Sequence, residues 1–182
     1  MANDLDLLME KAKESGFTGM APLAMETIIL HPEVRDACAK NKCHAYDTSW
    51  SCPPACGTLE ECWAELQEYS YGILLQTQGV LEDSMDYESM VEIEAEHKKH
   101  VAEFVDKARA LHPDCLILGG VCTACKKCSY PDAPCRFPEK QVSSMEAYGM
   151  VVLEVCKANG LTYYYGPDKM AYTSCFLLRN KK

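Results

Sequence analysis

The 182-residue chain is 48% hydrophobic and carries a formal net charge of −9, enough apolar content for one core and the wrong sign for a nucleic-acid-binding surface. Its 12 cysteines fall below the density of small secreted disulfide scaffolds, its N-terminal Met-Ala-Asn-Asp-Leu-Asp is acidic rather than a basic, apolar signal, and no apolar run approaches the roughly 20 residues that span a bilayer. The expectation is a cytoplasmic protein with reduced thiols and no membrane or nucleic-acid role of its own.

Leu5, Leu7, Leu8 and Ala12 predict a short opening helix that Gly16 ends, and residues 27–30, ahead of His31-Pro32, read as a short strand. Cys38, Cys43, Cys52 and Cys56 then fill a turn-rich loop. Thr58-Leu-Glu-Glu61 is a capping box that opens a helix with Leu59, Cys62, Trp63 and Leu66 on one face, and residues 71–80 follow as a strand.

Ser89-Met-Val-Glu92 marks the start of a long amphipathic helix striped by Ile93, His97, Val101, Phe104, Ala108 and Leu111 and stopped by His112-Pro113. A strand over residues 115–118 comes next, and the order strand, helix, strand predicts a right-handed crossover unit. The second cysteine loop begins where that strand ends. Ser143-Ser-Met-Glu146 predicts a further capped helix with Met145, Tyr148, Val152 and Val155 inward and Gly160 as its stop. Residues 161–165 and 171–178 flank Gly166-Pro-Asp168 and predict a closing hairpin. Together these elements predict a single α+β domain over residues 1–182, a mixed sheet with flanking helices, carrying cysteine-rich loops at 38–56 and 122–138.

Cys122-x2-Cys125-x2-Cys128 has the spacing that wraps three corners of an iron–sulfur cube, and Cys135 supplies a fourth thiolate. Cys38-x4-Cys43-x8-Cys52-Pro-Pro-Ala-Cys56 offers four more, with a proline directly after a ligand as in bacterial ferredoxin loops. These residues therefore predict two [4Fe-4S] clusters, one on Cys38, Cys43, Cys52 and Cys56 and one on Cys122, Cys125, Cys128 and Cys135. Cys135 is placed to serve its own loop or to cross to the other cluster. Zinc is the competing metal, but it favours paired C-x2-C knuckles, and the overlapping triple here has no second such pair. Cys62, Cys115, Cys156 and Cys175 lie in apolar runs and read as small buried hydrophobes.

Other chemistry is thinner. Glu94-x-x-His97 matches the spacing of a di-iron helix but occurs once, so His97 reads as a half-buried helix residue. His44 reads as a solvated loop histidine, and Tyr163, Tyr164 and Tyr165 as alternating positions of a strand. Lys126, Lys127 and Arg136 either raise the potential of a neighbouring cluster or form a solvated basic rim. Common signatures of nucleotide-binding, hydrolase and metalloprotease sites are absent, as is the C-x3-C-x2-C radical loop.

Val34-Arg-Asp-Ala-Cys38, Cys43, Tyr46, Cys52-Pro-Pro54, Cys122 to Cys128, Pro134-Cys135-Arg136, Pro138 and Ser144-Met-Glu-Ala-Tyr-Gly149 resemble the cysteine-rich bacterial and archaeal family of predicted metal-binding proteins, domain of unknown function 2284. The resemblance runs over nearly the whole chain and implies metal binding at the cysteines, without a substrate. The leading reading is a two-cluster protein exchanging single electrons with a redox enzyme partner in an oxygen-poor setting, alone or as a homo-oligomer. The alternatives are an iron–sulfur reductase or metallocofactor-activating enzyme with a catalytic cluster, and a zinc-binding interaction or metal-delivery protein.

Overall fold

The computed structural model describes residues 2–120 and 122–180. Its helices are α1 (Ala2–Glu14), α2 (Pro32–Ala39), α3 (Leu59–Leu66), α4 (Tyr87–Leu111) and α5 (Val152–Ala158), and its strands are β1 (Gly19–Leu23), β2 (Tyr71–Val80), β3 (Leu116–Leu118) and β4 (Lys169–Leu178). The strands form one sheet in the order β1-β2-β4-β3, so the architecture is α+β, as expected, but every pair is antiparallel and the sheet is not the mixed one expected.

Successive residues of a strand point to opposite faces, and here both faces are apolar. Ile73, Leu75, Ile117, Phe176 and Leu178 pack against Leu8 and Ala12 of α1 and against Val101, Phe104 and Ala108 of α4. Leu74, Leu118, Cys175 and Leu177 pack on the other side against Cys62 and Leu66 of α3 and Val155 and Cys156 of α5. A central sheet is thus buried between two helical layers. Phe104 and Phe176 meet edge to face across one interface, with ring centroids 4.6 Å apart.

The structure departs from expectation at several places. Residues 27–30 are not a strand: Met25–Thr27 is a 3-10 turn, and Leu30 makes a single bridge to Met150. Pro32 instead starts α2, at the first helical position where its missing N–H costs nothing. The strand β1 occupies the preceding segment, at a sheet edge where Pro22 is tolerated. β2 and β3 run parallel to one another, as a crossover requires, but do not pair; β4 lies between them, antiparallel to both.

With β4 bonded on both sides, residues 161–165 have no ladder to join and run irregularly, and Tyr165 bonds its hydroxyl to the Gln76 side chain instead. The helix expected from Ser143 is split. Ser144 Oγ accepts from Ala147 N at 3.0 Å, a single 3-10 turn covers Glu146–Tyr148, and Gly149 at φ +84° ends it before α5 begins. Trp63 is 45% exposed because only Cys62 and Leu66, four apart, point from α3 into the core. The cap of α4 is Asp86, which accepts from Ser89 N at 3.0 Å. Among the described residues, no helix is long and apolar enough to cross a membrane.

Candidate metal centre

Cys38 sits near the C-terminal end of α2, and the chain beyond it winds through tight turns to Cys56. Asn41, His44 and Asp47 adopt left-handed backbone at φ 50°, 58° and 57°, a conformation that Asn, Asp and His accept more readily than other non-glycine residues. Asn41 Oδ1 accepts from Tyr46 N at 3.1 Å and holds the loop's middle. Cys43 and His44 are exposed on it, whereas Cys38, Cys52 and Cys56 are partly covered.

Two of these thiols rest on the turn that precedes α5. Cys38 Sγ donates to the Glu146 carbonyl at 3.9 Å and Cys56 Sγ to the Ala147 carbonyl at 3.7 Å. The Ser144–Gly149 segment thus has a local cap and also forms a wall of the first cysteine set. Arg35, one helical turn before Cys38, fastens the same region. Its guanidinium donates to Ala147 O at 2.6 Å and Gly57 O at 2.7 Å, and Nη1 lies 3.8 Å from both Cys56 Sγ and Cys62 Sγ.

Cys62 is therefore more than core filling, although it is buried as expected. Its thiol lies beside that of Cys56 and donates to the Cys56 carbonyl at 3.7 Å. The contact of the two thiols, with Arg35 beside them, holds Cys62 below the usual thiol range, whereas the same contact and burial push Cys56 above it against the pull of Arg35. Burial pushes the Cys38 thiol up; Arg35 opposes this, and the neighbouring Cys43, Glu146 and Cys52 add to it. Cys115, Cys156 and Cys175 are buried in the sheet's two cores, and all 12 cysteines are free thiols.

The second set lies on irregular chain over residues 122–137. Ser129 Oγ donates to Pro134 O at 2.7 Å, and Arg136 donates to the Lys127 carbonyl, so Arg136 staples its own loop. Cys122, Cys125, Cys128 and Cys135 are all half-buried. The two loops are docked together. Trp50 Nε1 donates to Ala133 O at 2.9 Å, Gln141 Nε2 donates to Trp50 O at 3.2 Å, and the Tyr130 hydroxyl donates to Asp47. Neither Trp50 nor Tyr130 stands out in the sequence, because these contacts join residues more than 80 positions apart.

Two hollows adjoin the cysteines. Cys38, Cys43 and Cys52 line a cavity of about 410 Å³ that reaches His97 of α4 and Tyr172 of β4. Cys56 and Cys135, from different loops, line a cleft of about 600 Å³ beside Trp50. His97 is buried rather than half-buried: its ring nitrogens lie 3.0 Å from Thr77 Oγ1 and 2.6 Å from Ser174 Oγ. Burial, with His100 nearby, lowers its pKa to about 4, so the ring is neutral near neutral pH.

These donors suit a soft metal. Thiolates select zinc, copper(I) and iron–sulfur clusters over hard oxygen-loving ions. Among the described residues no three Cys, His, Asp or Glu side chains are already drawn together as a metal site. The first set nonetheless shares one neighbourhood, with Cys38 influenced by Cys43 and Cys52, and Cys56 by Cys52. In donor type the cysteines fit a thiolate-bound metal.

No curated protein and no solved structure matches the chain. The profile of the family described as predicted metal-binding protein matches residues 21–178, from β1 through the last residue of β4 and across both cysteine sets. With that match over most of its length, the chain belongs to the DUF2284 family of predicted metal-binding proteins.

Proposed function

We propose that this protein holds two [4Fe-4S] clusters, one at each cysteine set, and exchanges single electrons with a redox enzyme partner in a reducing, oxygen-poor cytoplasm. The supporting observation is the docking of one cysteine loop on the other through Trp50 and Tyr130, whose ring centroids are 5.0 Å apart. Cubes held by thiolates supply one-electron chemistry over a wide range of potentials. The chain's own part is to hold the two sites side by side and leave each near the surface. Cys43 and the half-buried second set are reachable from outside, and exposed Lys126 and Lys127 lie between second-set ligands, where positive charge favours the reduced state.

A second reading is favoured by one feature that a simple carrier does not need. The 410 Å³ cavity in front of Cys38, Cys43 and Cys52 suits an iron–sulfur enzyme that reduces a small substrate there. The test of the two-cluster reading is metal and sulfide analysis of protein purified without oxygen, with electron paramagnetic resonance after dithionite reduction. About eight irons and eight sulfides per chain, with two reducible signals, support it. Zinc without sulfide or colour replaces it with a zinc-stabilised interaction or metal-delivery protein.

A further inference from the structure

The four cysteines of the first set do not face the same space. Cys38, Cys43 and Cys52 line the 410 Å³ cavity, whereas Cys56 lines the separate cleft that it shares with Cys135. The Cys56 sulfur is also engaged where it stands, between Arg35 Nη1 at 3.8 Å and the Ala147 carbonyl at 3.7 Å. The guanidinium that holds it is fixed independently by the carbonyls of Gly57 and Ala147. Drawing Cys56 into the cavity would break these contacts, while the other three thiols already border it.

We infer that the first cluster is held by Cys38, Cys43 and Cys52 alone, and that its fourth coordination position opens on the cavity as the binding site of a small organic molecule with an iron-binding head and an apolar body. This inference rests on the cluster reading proposed above. The contrast is the general one between metal sites that are closed by protein ligands and sites that keep a position for substrate.

The cavity's lining specifies the ligand class. Tyr46, Val152, Tyr163, Met170 and Tyr172 present mainly apolar and aromatic surface. His97 cannot fill the open position from its present place, because both ring nitrogens are engaged by the hydroxyls of Thr77 and Ser174. Lys98, which also lines the cavity, is paired with Glu94 at 2.6 Å. With that cation neutralised and Glu146 adding negative charge, the lining favours a neutral or singly charged ligand over a phosphate ester. The Tyr172 hydroxyl makes only a long 3.4 Å bond to Met90 O and is available to hold a polar group of the ligand.

The test compares anaerobically purified wild type with Cys56→Ala, Cys38→Ala and Cys52→Ala for iron and sulfide. Electron paramagnetic resonance of the reduced proteins is recorded with and without cyanide, an iron-binding probe small enough for the cavity. Cys56→Ala is expected to keep about eight irons per chain, Cys38→Ala and Cys52→Ala to fall to about half, and cyanide to shift one cluster signal in wild type and in Cys56→Ala. Loss of half the iron from a folded Cys56→Ala protein overturns the ligand assignment. The wild-type cyanide measurement does not depend on any variant folding, and a signal that cyanide leaves unchanged overturns the open position. Wild type that contains no iron or sulfide defeats the cluster reading itself, before any variant is compared.

Discussion

Trp50 and Tyr130 meet edge to face at 5.0 Å between ring centroids and nearly perpendicular, at 89°, and they are the point where the two cysteine loops touch. An aromatic pair of this kind contributes about 0.5–1.5 kcal/mol beyond the area it buries, and the indole hydrogen bond to Ala133 O adds about 1 kcal/mol. Trp50→Ala is therefore expected to lower stability by about 2 kcal/mol. It removes no thiol, so on the two-cluster proposal iron content should hold while any magnetic interaction between the reduced clusters weakens. Unchanged spin coupling in the variant would show that the loops are held together by other contacts.

His97 gives the fold a calculable acid sensitivity. Its pKa falls from 6.5 in the unfolded chain to about 4 in the folded protein, first through burial and then through His100. Between those values the unfolded chain binds a proton that the folded protein refuses. Stability therefore falls as pH drops from 6.5 towards 4, by about 3 kcal/mol in all from this group. The neutral variant His97→Gln is expected to lose about 2–3 kcal/mol less than wild type between pH 7 and about pH 4.5 in urea unfolding, whatever its absolute stability. Parallel curves for the two proteins would remove His97 as the source.

Gly149 occupies backbone at φ +84°, directly after the turn whose carbonyls receive the Cys38 and Cys56 thiols. A Cβ there would stand 2.6 Å from Leu59 Cδ1 and force a left-handed conformation on an ordinary residue. Gly149→Ala should cost about 1–2 kcal/mol from the backbone alone. The displaced turn should also speed chelator-driven loss of metal from the first set relative to the second. Equal loss rates from both sets would mean that the turn supports the fold and not the metal centre.

What was legible in the sequence is what depends on neighbours along the chain. β2 over residues 71–80, the capping box at Thr58 and the buried stripe from Ile93 to Ala108 are all set by local spacing, and the structure has them. β1 was not legible, because Gly19-Met-Ala-Pro-Leu becomes a strand only by pairing with β2 as the sheet's edge. Residues 161–165 look like a strand by composition, yet both sides of β4 are taken by β2 and β3. The same division holds at the site. The cysteine spacings point to a metal, but the contact of Arg35 with Ala147 spans 112 positions and leaves no local trace. Arg35 stands one helical turn before Cys38, a hint that becomes specific only when the Ser144–Gly149 segment folds back onto α2.

Arg35 is the position where fold and thiol chemistry are most closely joined. One half-buried guanidinium serves two carbonyls at 2.6 and 2.7 Å and two sulfurs at 3.8 Å, and only a planar fork of donors can reach all four. Arg35→Lys keeps the charge but loses the fork, so it should cost about 2 kcal/mol or more and leave at least one carbonyl unsatisfied. Arg35→Gln removes the charge as well. Because a cation favours thiolate over thiol, its loss should move the first deprotonation of the Cys56–Cys62 pair to higher pH. Thiolate absorbance of the metal-free protein, followed against pH, is expected to place wild type lowest, Arg35→Lys between and Arg35→Gln highest. A Gln variant that titrates with wild type while losing stability would confine Arg35 to bracing the carbonyls.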